Sequence, residues 1–361
     1  MGNVQEYKCP CCGGAIEFDS KIQKVKCPYC DTEFEMEALA DYENEVSGDG
    51  ADQMNWEMDN TQEWTPAEQE GLRIYVCQSC GGEIVTDENT AASACPYCDS
   101  PVVINNSVAG GLRPEYIIPF QLDKNKAKEK FKEHLKGKKL LPKVFKTQNH
   151  LEEIKGIYVP YWIFDSKANA RVRYRGTKVR RWSDSKHNYK ETSYYSVVRQ
   201  GNISFANVPV DGSTKMPDDL MESLEPFDHK AGVSFQKAYF AGFMADKYDV
   251  DQEKSVHRAN ERVKNATQDA FAATVKGYAS VSYEGGNISL DQGRASYAMY
   301  PVWILTTRWK GELYTFAMNG QTGKFVGNLP VDKSLVTKIF LSTTAITAAI
   351  AFAVQSLVYF L

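Results

Sequence analysis

Between Asp31 and Leu72 the chain has no lysine and no arginine, against 14 aspartates and glutamates. A stretch of that sign repels nucleic acid. The remainder carries 42 basic against 32 acidic residues, so the net charge of −4 conceals an acidic interval set in a basic chain. The N-terminal MGNVQEYK lacks a basic region followed by an apolar one, and no secretory signal peptide is expected. Catalytic signatures of fixed spacing are also missing: there is no G-x-S-x-G, no H-E-x-x-H and no G-x-G-x-x-G after a strand. Gly323-Lys324 fails as a P-loop, because Phe325 stands where a Ser or Thr would hold magnesium and Gly320 precedes Gly323 too closely. The five histidines, His134, His150, His187, His229 and His257, are scattered, and the acid pair Asp218-Asp219 sits where a helix N-terminus favours negative charge. No constellation reads as an active site, so the expectation is a protein that is not an enzyme.

Charge is absent again from Ile339 to Leu361, IFLSTTAITAAIAFAVQSLVYFL. As a helix these 23 residues extend roughly 34 Å, against an apolar bilayer core of about 30 Å. One transmembrane helix is therefore expected over 336–361, since buried helices of soluble cores are usually shorter. Lys333 and Lys338 flank it on the N-terminal side, which by the positive-inside rule places the preceding bulk of the chain in the cytoplasm, at the cell membrane. Ala345, Ala349 and Ala353 recur every four residues, a spacing that permits close approach of a second helix but is also common in alanine-rich spans.

What is present in abundance is cysteine, nine residues confined to two clusters. In a reducing compartment such clusters read as thiolate metal ligands rather than disulfides. The segments YKCPCCGGAIEFDSKIQKVKCPYCD and YVCQSCGGEIVTDENTAASACPYCD superimpose at an offset of 68, pairing Cys9, Cys12, Cys27 and Cys30 with Cys77, Cys80, Cys95 and Cys98. Cys11 meets Ser79 and is the spare; it is either an accidental neighbour or an exchangeable ligand. Each unit is C-x2-C-x14-C-x2-C, the spacing of a structural four-cysteine zinc ribbon with no open coordination position. Two structural Zn2+ ions are expected, contributing to folding rather than chemistry. The first ribbon has Lys8, Lys21, Lys24 and Lys26, whereas Cys77 to Cys98 contains no basic residue, so at least one ribbon is a poor phosphate binder. The acidic interval between them, with Phe34, Leu39, Trp56 and Trp64, is either a solvated linker or a segment that docks on a partner or on the basic remainder of the chain.

From about Arg113 the pattern becomes that of an α+β domain. Ala127, Phe131 and Leu135 form one apolar stripe of a helix that ends near Gly137. GIYVPYWIFDSKANARVRYRG reads as strand, turn and strand, in which Arg171, Arg173 and Arg175 share a face by the two-residue period. With Lys178, Arg180, Arg181 and Trp182 just after them they are the candidate site for an anion: a solvated sheet face, anionic lipid headgroups and nucleic acid are the competing readings. PDDLMESLEPFD reads as a short helix, and a longer one is expected from about Asp251 to Lys276, with Asp249 or Asp251 as its cap. Its seam would be Val256, Ala259, Val263, Ala266, Ala270 and Ala273. Pro301, Trp303 and Ile304 repeat Pro160, Trp162 and Ile163 at an offset of 141, as a duplicated strand pair plus helix would. LYTFAMNGQTGKFVG reads as a hairpin turned at Asn319-Gly320.

Taken together, the ribbon motifs CGG and CPYCD, the aromatic GIYVPYWIF, the MNGQTGK hairpin and the terminal apolar helix resemble the bacterial YdjG-like zinc-ribbon membrane proteins. Members are often labelled primosomal helicase-like or TFIIB-type zinc ribbon proteins, and the missing P-loop argues against the helicase label. The resemblance implies a cytoplasm-facing adapter acting with an SPFH-domain (flotillin-like) protein, a TPM-domain membrane protein and a PspA-like protein in envelope stress, and it supplies no catalytic residues. The organisation expected is zinc ribbon 1 over 1–35, an acidic linker over 36–72, zinc ribbon 2 over 73–106, an α+β domain over 113–330 and the membrane helix over 336–361. The alternatives are a membrane-tethered nucleic-acid-binding protein using Lys21, Lys24, Lys26 and the arginines, and an enzyme whose site in the α+β domain escapes motif reading.

Overall fold

The computed structural model describes residues 8–47, 52–58, 63–105, 111–146, 153–327 and 329–360. In chain order the first elements are β1 (Glu17–Asp19), β2 (Lys24–Lys26), β3 (Glu33–Phe34), α1 (Met36–Ser47), β4 (Glu57–Met58), α2 (Pro66–Gln69), β5 (Leu72–Cys77), β6 (Glu83–Asp87), β7 (Val102–Asn105), β8 (Tyr116–Ile117) and α3 (Lys124–Leu135). There follow β9 (Lys155–Ser183), β10 (Asn188–Asp211), α4 (Asp218–Glu222), β11 (Val233–Ser234), β12 (Met244–Asp246), α5 (Gln252–Ala272), β13 (Ser280–Trp309), β14 (Glu312–Asn319), β15 (Phe325–Gly327) and α6 (Lys333–Phe360). This is a mixed α+β fold with two four-cysteine groups near the N-terminus and one apolar C-terminal helix. Two compact units share the chain, one from Met1–Glu57, Phe164–Val208 and Val256–Arg294, the other from Met58–Ile163, Pro209–Ser255 and Ala295–Leu361. The segment 113–330 is thus divided between them.

The first unit holds the first ribbon, where β2 pairs antiparallel with β1 (Phe18↔Val25) and with β3 (Val25↔Phe34). Its core draws Ala168, Ala170, Val172 and Tyr174 from alternate positions of β9, as the strand period requires, with Val197, Ile288 and Val263 of α5. The buried stripe of α5 here is Ala259, Val263 and Thr267, with Phe271 packed against the same cluster. The alanine seam expected at Ala266, Ala270 and Ala273 is solvent-exposed. Thr267 can take the inward place because its hydroxyl donates to the Val263 carbonyl (2.7 Å), which satisfies that donor inside the core.

In the second unit the strand order is β11, β8, β13, β9, β12, β6, β5, β7, with β14 on β13 and β15 on β14. The expected stripe of α3 is buried as Ala127, Phe131 and Leu135, Asp123 caps its start by accepting from Lys126 N (2.9 Å), and Gly137 follows its end at φ +82°. The duplication is visible in contacts. Gly212 N donates to the Pro160 carbonyl (2.9 Å) as Gly320 N does to that of Pro301 (2.8 Å). The Trp162 indole donates to Val250 O, just before the α5 cap Asp251, and the Trp303 indole donates to Leu122 O, just before the α3 cap Asp123. Each tryptophan therefore anchors the start of the other repeat's helix.

The β14–β15 hairpin forms, but its positive φ falls on Gly323 (+75°) and not on Asn319-Gly320. Asn319 N donates to Lys324 O and Gly323 N to Asn319 O, while the Asn319 side-chain oxygen accepts from Gln321 N and Thr322 N. Gly320 is required for another reason: a Cβ there would lie 2.7 Å from Phe120 and 2.8 Å from Pro301.

Helix α6 is long and apolar enough to cross a membrane, and none of its apolar window is buried in the protein. Thr343, Thr344 and Thr347 return their hydroxyls to carbonyls four residues earlier, so the helix offers few unmet donors to an apolar surrounding.

Candidate metal centres and their surroundings

In the first ribbon Cys9, Cys12, Cys27 and Cys30 bring their sulfurs within 4.8 Å of one another, and in the second Cys77, Cys80, Cys95 and Cys98 do the same. The nearest sulfurs are Cys9 and Cys30 (3.6 Å), Cys12 and Cys27 (3.5 Å), Cys77 and Cys98 (3.5 Å), Cys80 and Cys95 (3.6 Å). A disulfide would need about 2.05 Å. A tetrahedron of metal–sulfur bonds of about 2.3 Å has edges near 3.8 Å, so both groups fit one four-coordinate ion each.

Each group is built from two copies of one turn. Cys9 N donates to Gly14 O and Gly13 N to Cys9 O; the same two bonds recur for Cys27, Cys77 and Cys95 with their own residues at plus five and plus four. The residue at plus four has positive φ in every case: Gly13 (+75°), Asp31 (+55°), Gly81 (+69°) and Asp99 (+59°). Amide groups inside the turn point at sulfur, as Cys11 N does at Cys9 Sγ (3.4 Å). Beyond the ligands, Thr32 Oγ1 lies 3.1 Å from Cys30 Sγ. Burial acts to raise the Cys30 thiol, but hydrogen bonds from Thr32 and the neighbouring cysteines bring it down to about 6. Cys98 is brought to about 6 against the same burial by Ser100, the residue 68 positions on from Thr32. Burial pushes Cys9 and Cys95 upward, so a bound cation has protons left to displace.

Cys11 is outside the four-sulfur group. Its carbonyl accepts from Arg175 Nη1 (3.0 Å), as that of Pro10 does (3.3 Å). The arginine row is not an open face: Arg173 is buried, stacks on Tyr42 and reaches Glu284 at 4.0 Å, and Arg175 reaches the same carboxylate at 3.5 Å. Sheet alternation alone does not reveal that α1 and the ribbon supply Tyr42 and Cys11 on that side. Arg180 and Arg181 remain exposed.

Residues 36–72, where described, are not a free linker. α1 buries Leu39; Asp52 accepts from Lys264 (2.6 Å) and from Ile288 N. The Trp56 indole donates to Asn260 (2.7 Å). In the second unit Trp64 packs edge-on against Phe235, and Glu68, in a capping box with Thr65, pairs with Arg113. The acidic interval docks on the chain itself because its anchors find aromatic and basic partners there.

The two ribbons differ in burial. Cys77, Cys95 and Tyr97 belong to the core of the second unit, β6 pairs with β12 (Val85↔Ala245), and Thr306, Lys155 and Lys215 donate to carbonyls of the second ribbon. The first ribbon leaves Phe18, Ile22 and Tyr29 exposed. Tyr29 and Tyr97 occupy the same place in CPYCD, yet Tyr29 is 74% exposed and Tyr97 is 5% exposed.

Motif reading missed a buried acid cluster beside Tyr97. Ser213 N donates to Asp211 and Ser213 Oγ to Asp246 (2.6 Å). Burial pushes the Asp246 carboxyl up to about 7, and pushes Asp211 well above the carboxylate range with the Asp246 charge adding to it. Lys215 pairs with Asp249 nearby (2.8 Å). In the sequence these acids sit in VPVDGSTK and ADKYDVD, indistinguishable from loop residues.

No family model matches the chain, and no solved structure matches it. It is 32% identical over 238 residues to a protein of Bacillus subtilis (strain 168) described as uncharacterized protein YdjG, an alignment covering 66% of this chain and 70% of that protein.

Proposed function

This chain belongs to the YdjG family, and on that footing we propose that it is a membrane-anchored, cytoplasm-facing adapter of the cell membrane, not an enzyme, that holds two structural zinc ions and docks partner proteins through its first ribbon. The observation that carries this reading is the contrast between Tyr29 and Tyr97. The face by which the second ribbon sinks into its own unit is the face that the first ribbon leaves in solvent, with Phe18 and Ile22 exposed on the same small module. The partners are those of the resemblance, an SPFH-domain protein, a TPM-domain membrane protein and a PspA-like protein, and the setting is envelope stress. Nucleic acid is the poorer partner for the first ribbon, since Lys24 and Lys26 already pair with Glu35 and Asp31. The acid cluster reads as structural, because the cavity that Asp246 lines measures about 30 Å³, room for a water and not for a substrate.

The test is affinity purification of the intact protein from mildly solubilised membranes, comparing wild type with Tyr29→Ala, Cys9→Ser and Cys77→Ser. Tyr29→Ala is expected to lose partners while remaining folded and metal-loaded. An unchanged partner set in Tyr29→Ala and Cys9→Ser would remove the first ribbon from the docking surface and the proposal with it.

A further inference from the structure

β9 and β10 end in a hairpin turned at Asp184–His187, where Asp184 N donates to His187 O (2.9 Å). The Asp184 carboxylate accepts from Lys186 N, His187 N and the Tyr189 hydroxyl, which fixes the turn and occupies its charge. Across the strands Trp182 and Tyr189 stack with centroids 5.3 Å apart and planes 9° apart, and the Arg180 guanidinium lies 5.2 Å from the Trp182 ring. Lower on the hairpin the Lys178 ammonium lies 5.0 Å from the ring of Tyr195. From Thr177 to Arg199 there are six lysines and arginines against two acids. Trp182, Tyr189, Tyr194 and Tyr195 are each 40 to 45% exposed. This combination of exposed aromatics among cations is not needed for the core of the unit: the apolar cluster takes no buried β9 residue beyond Tyr174, and the strand is exposed from Lys178 to its end.

We propose that this hairpin tip seats on anionic phospholipid headgroups, with Arg180, Arg181, Lys186 and Lys190 meeting phosphates and the Trp182–Tyr189 pair entering the interfacial layer. Tryptophan and tyrosine have an apolar body and a polar edge, and basic side chains gain from the negative surface of an anionic leaflet. Tethering by α6 keeps the rest of the chain near a bilayer at high effective concentration, so weak individual contacts suffice. Single-stranded nucleic acid needs free aromatic faces on which bases stack. Here Tyr189 and Arg180 lie against Trp182, and Lys178 and Tyr278 against Tyr195. The inference moves the anion site from the arginine row, where Arg173 is buried, to the exposed tip, and it rests on the membrane-anchor part of the function proposed above.

The full-length protein is placed in nanodiscs of phosphatidylcholine alone or mixed with phosphatidylglycerol, each made with and without acyl-brominated lipid, and tryptophan quenching is compared between wild type and Trp182→Phe. The Trp182 share of the quenching is expected to rise about threefold in the anionic discs, and Arg180→Gln with Arg181→Gln is expected to abolish that rise without changing incorporation. Equal Trp182 quenching in neutral and anionic discs, or none in either, would overturn the proposal. So would an oligonucleotide that removes Trp182 from the anionic surface at equal charge concentration. A chain that fails to enter discs of either composition would instead refute the anchor on which the proposal stands, a result read separately by co-elution with lipid.

Discussion

Asp246 is a carboxyl that folding sets in a fully buried place, while the nearby Lys215 pairs with Asp249. Its pKa moves from 3.8 to about 7 because burial penalises the charged form more than Ser213 and Tyr97 favour it. Between those values the folded chain keeps a proton that the unfolded chain releases, so stability is fully present below about pH 4 and is lost as pH rises towards about 7. Asp211 shifts in the same direction, with Tyr97, Tyr297, Asp218, Asp249 and Lys215 as the other ionisable groups around the pair. Asp246→Asn is therefore expected to lose less melting temperature than wild type on going from about pH 5 to about pH 8, measured on the metal-loaded protein in detergent. An equal loss in both proteins would show that this carboxyl does not govern the dependence. Nothing in the sequence marks these aspartates, since a buried acid and a turn acid share one letter; the four-cysteine spacing, by contrast, is a pattern of letters and is read directly.

Elements were legible in proportion to how much of their burial is apolar. The α3 stripe is Ala127, Phe131 and Leu135 in sequence and structure alike. In α5 the expected seam holds at Ala259 and Val263 and departs from Ala266 onward, because the next inward position is Thr267, which periodicity counts as polar, while the exposed alanines count as apolar. The β14–β15 hairpin is legible as a hairpin, but the Asn-Gly preference misplaces its turn: the left-handed residue is Gly323, and Gly320 serves the close approach of Phe120. The duplicated tryptophans were legible as a repeat, though not as crossed anchors. Each indole satisfies a carbonyl at the entry to a helix, so Trp162→Phe and Trp303→Phe are each expected to cost about 1 kcal/mol in denaturant unfolding. Additive costs in the double variant would indicate that the two anchors act separately, and a larger joint loss that the repeats fold as one.

At the scale of the whole molecule, two ribbons of one spacing have different standing. The second shares a core with Tyr161, Tyr300 and Ile304, whereas the described contacts of the first with the rest of its unit run through Arg175 and the α1 region. Removal of metal by a strong chelator is expected to raise amide hydrogen exchange widely across the second unit, but in the first unit mainly over residues 8–35. Confinement of the effect to the cysteine segments in both units would contradict the structural role of the second ribbon. This asymmetry escapes sequence reading because the residues that create it, Lys155, Lys215 and Thr306, lie far along the chain from the cysteines they support.

The turn at Asn319 has the same pair of backbone bonds and the same left-handed residue at plus four as the four cysteine turns, with an amide oxygen receiving the amide hydrogens that sulfur would otherwise receive. The molecule thus contains its own metal-free control. At Asn319 the backbone makes this bend without coordination, so the curve of each half-cage is a geometry the chain reaches by itself and an ion's own contribution is to join the two halves. Coordination should accordingly act on the joint between the two halves rather than on the bend within each.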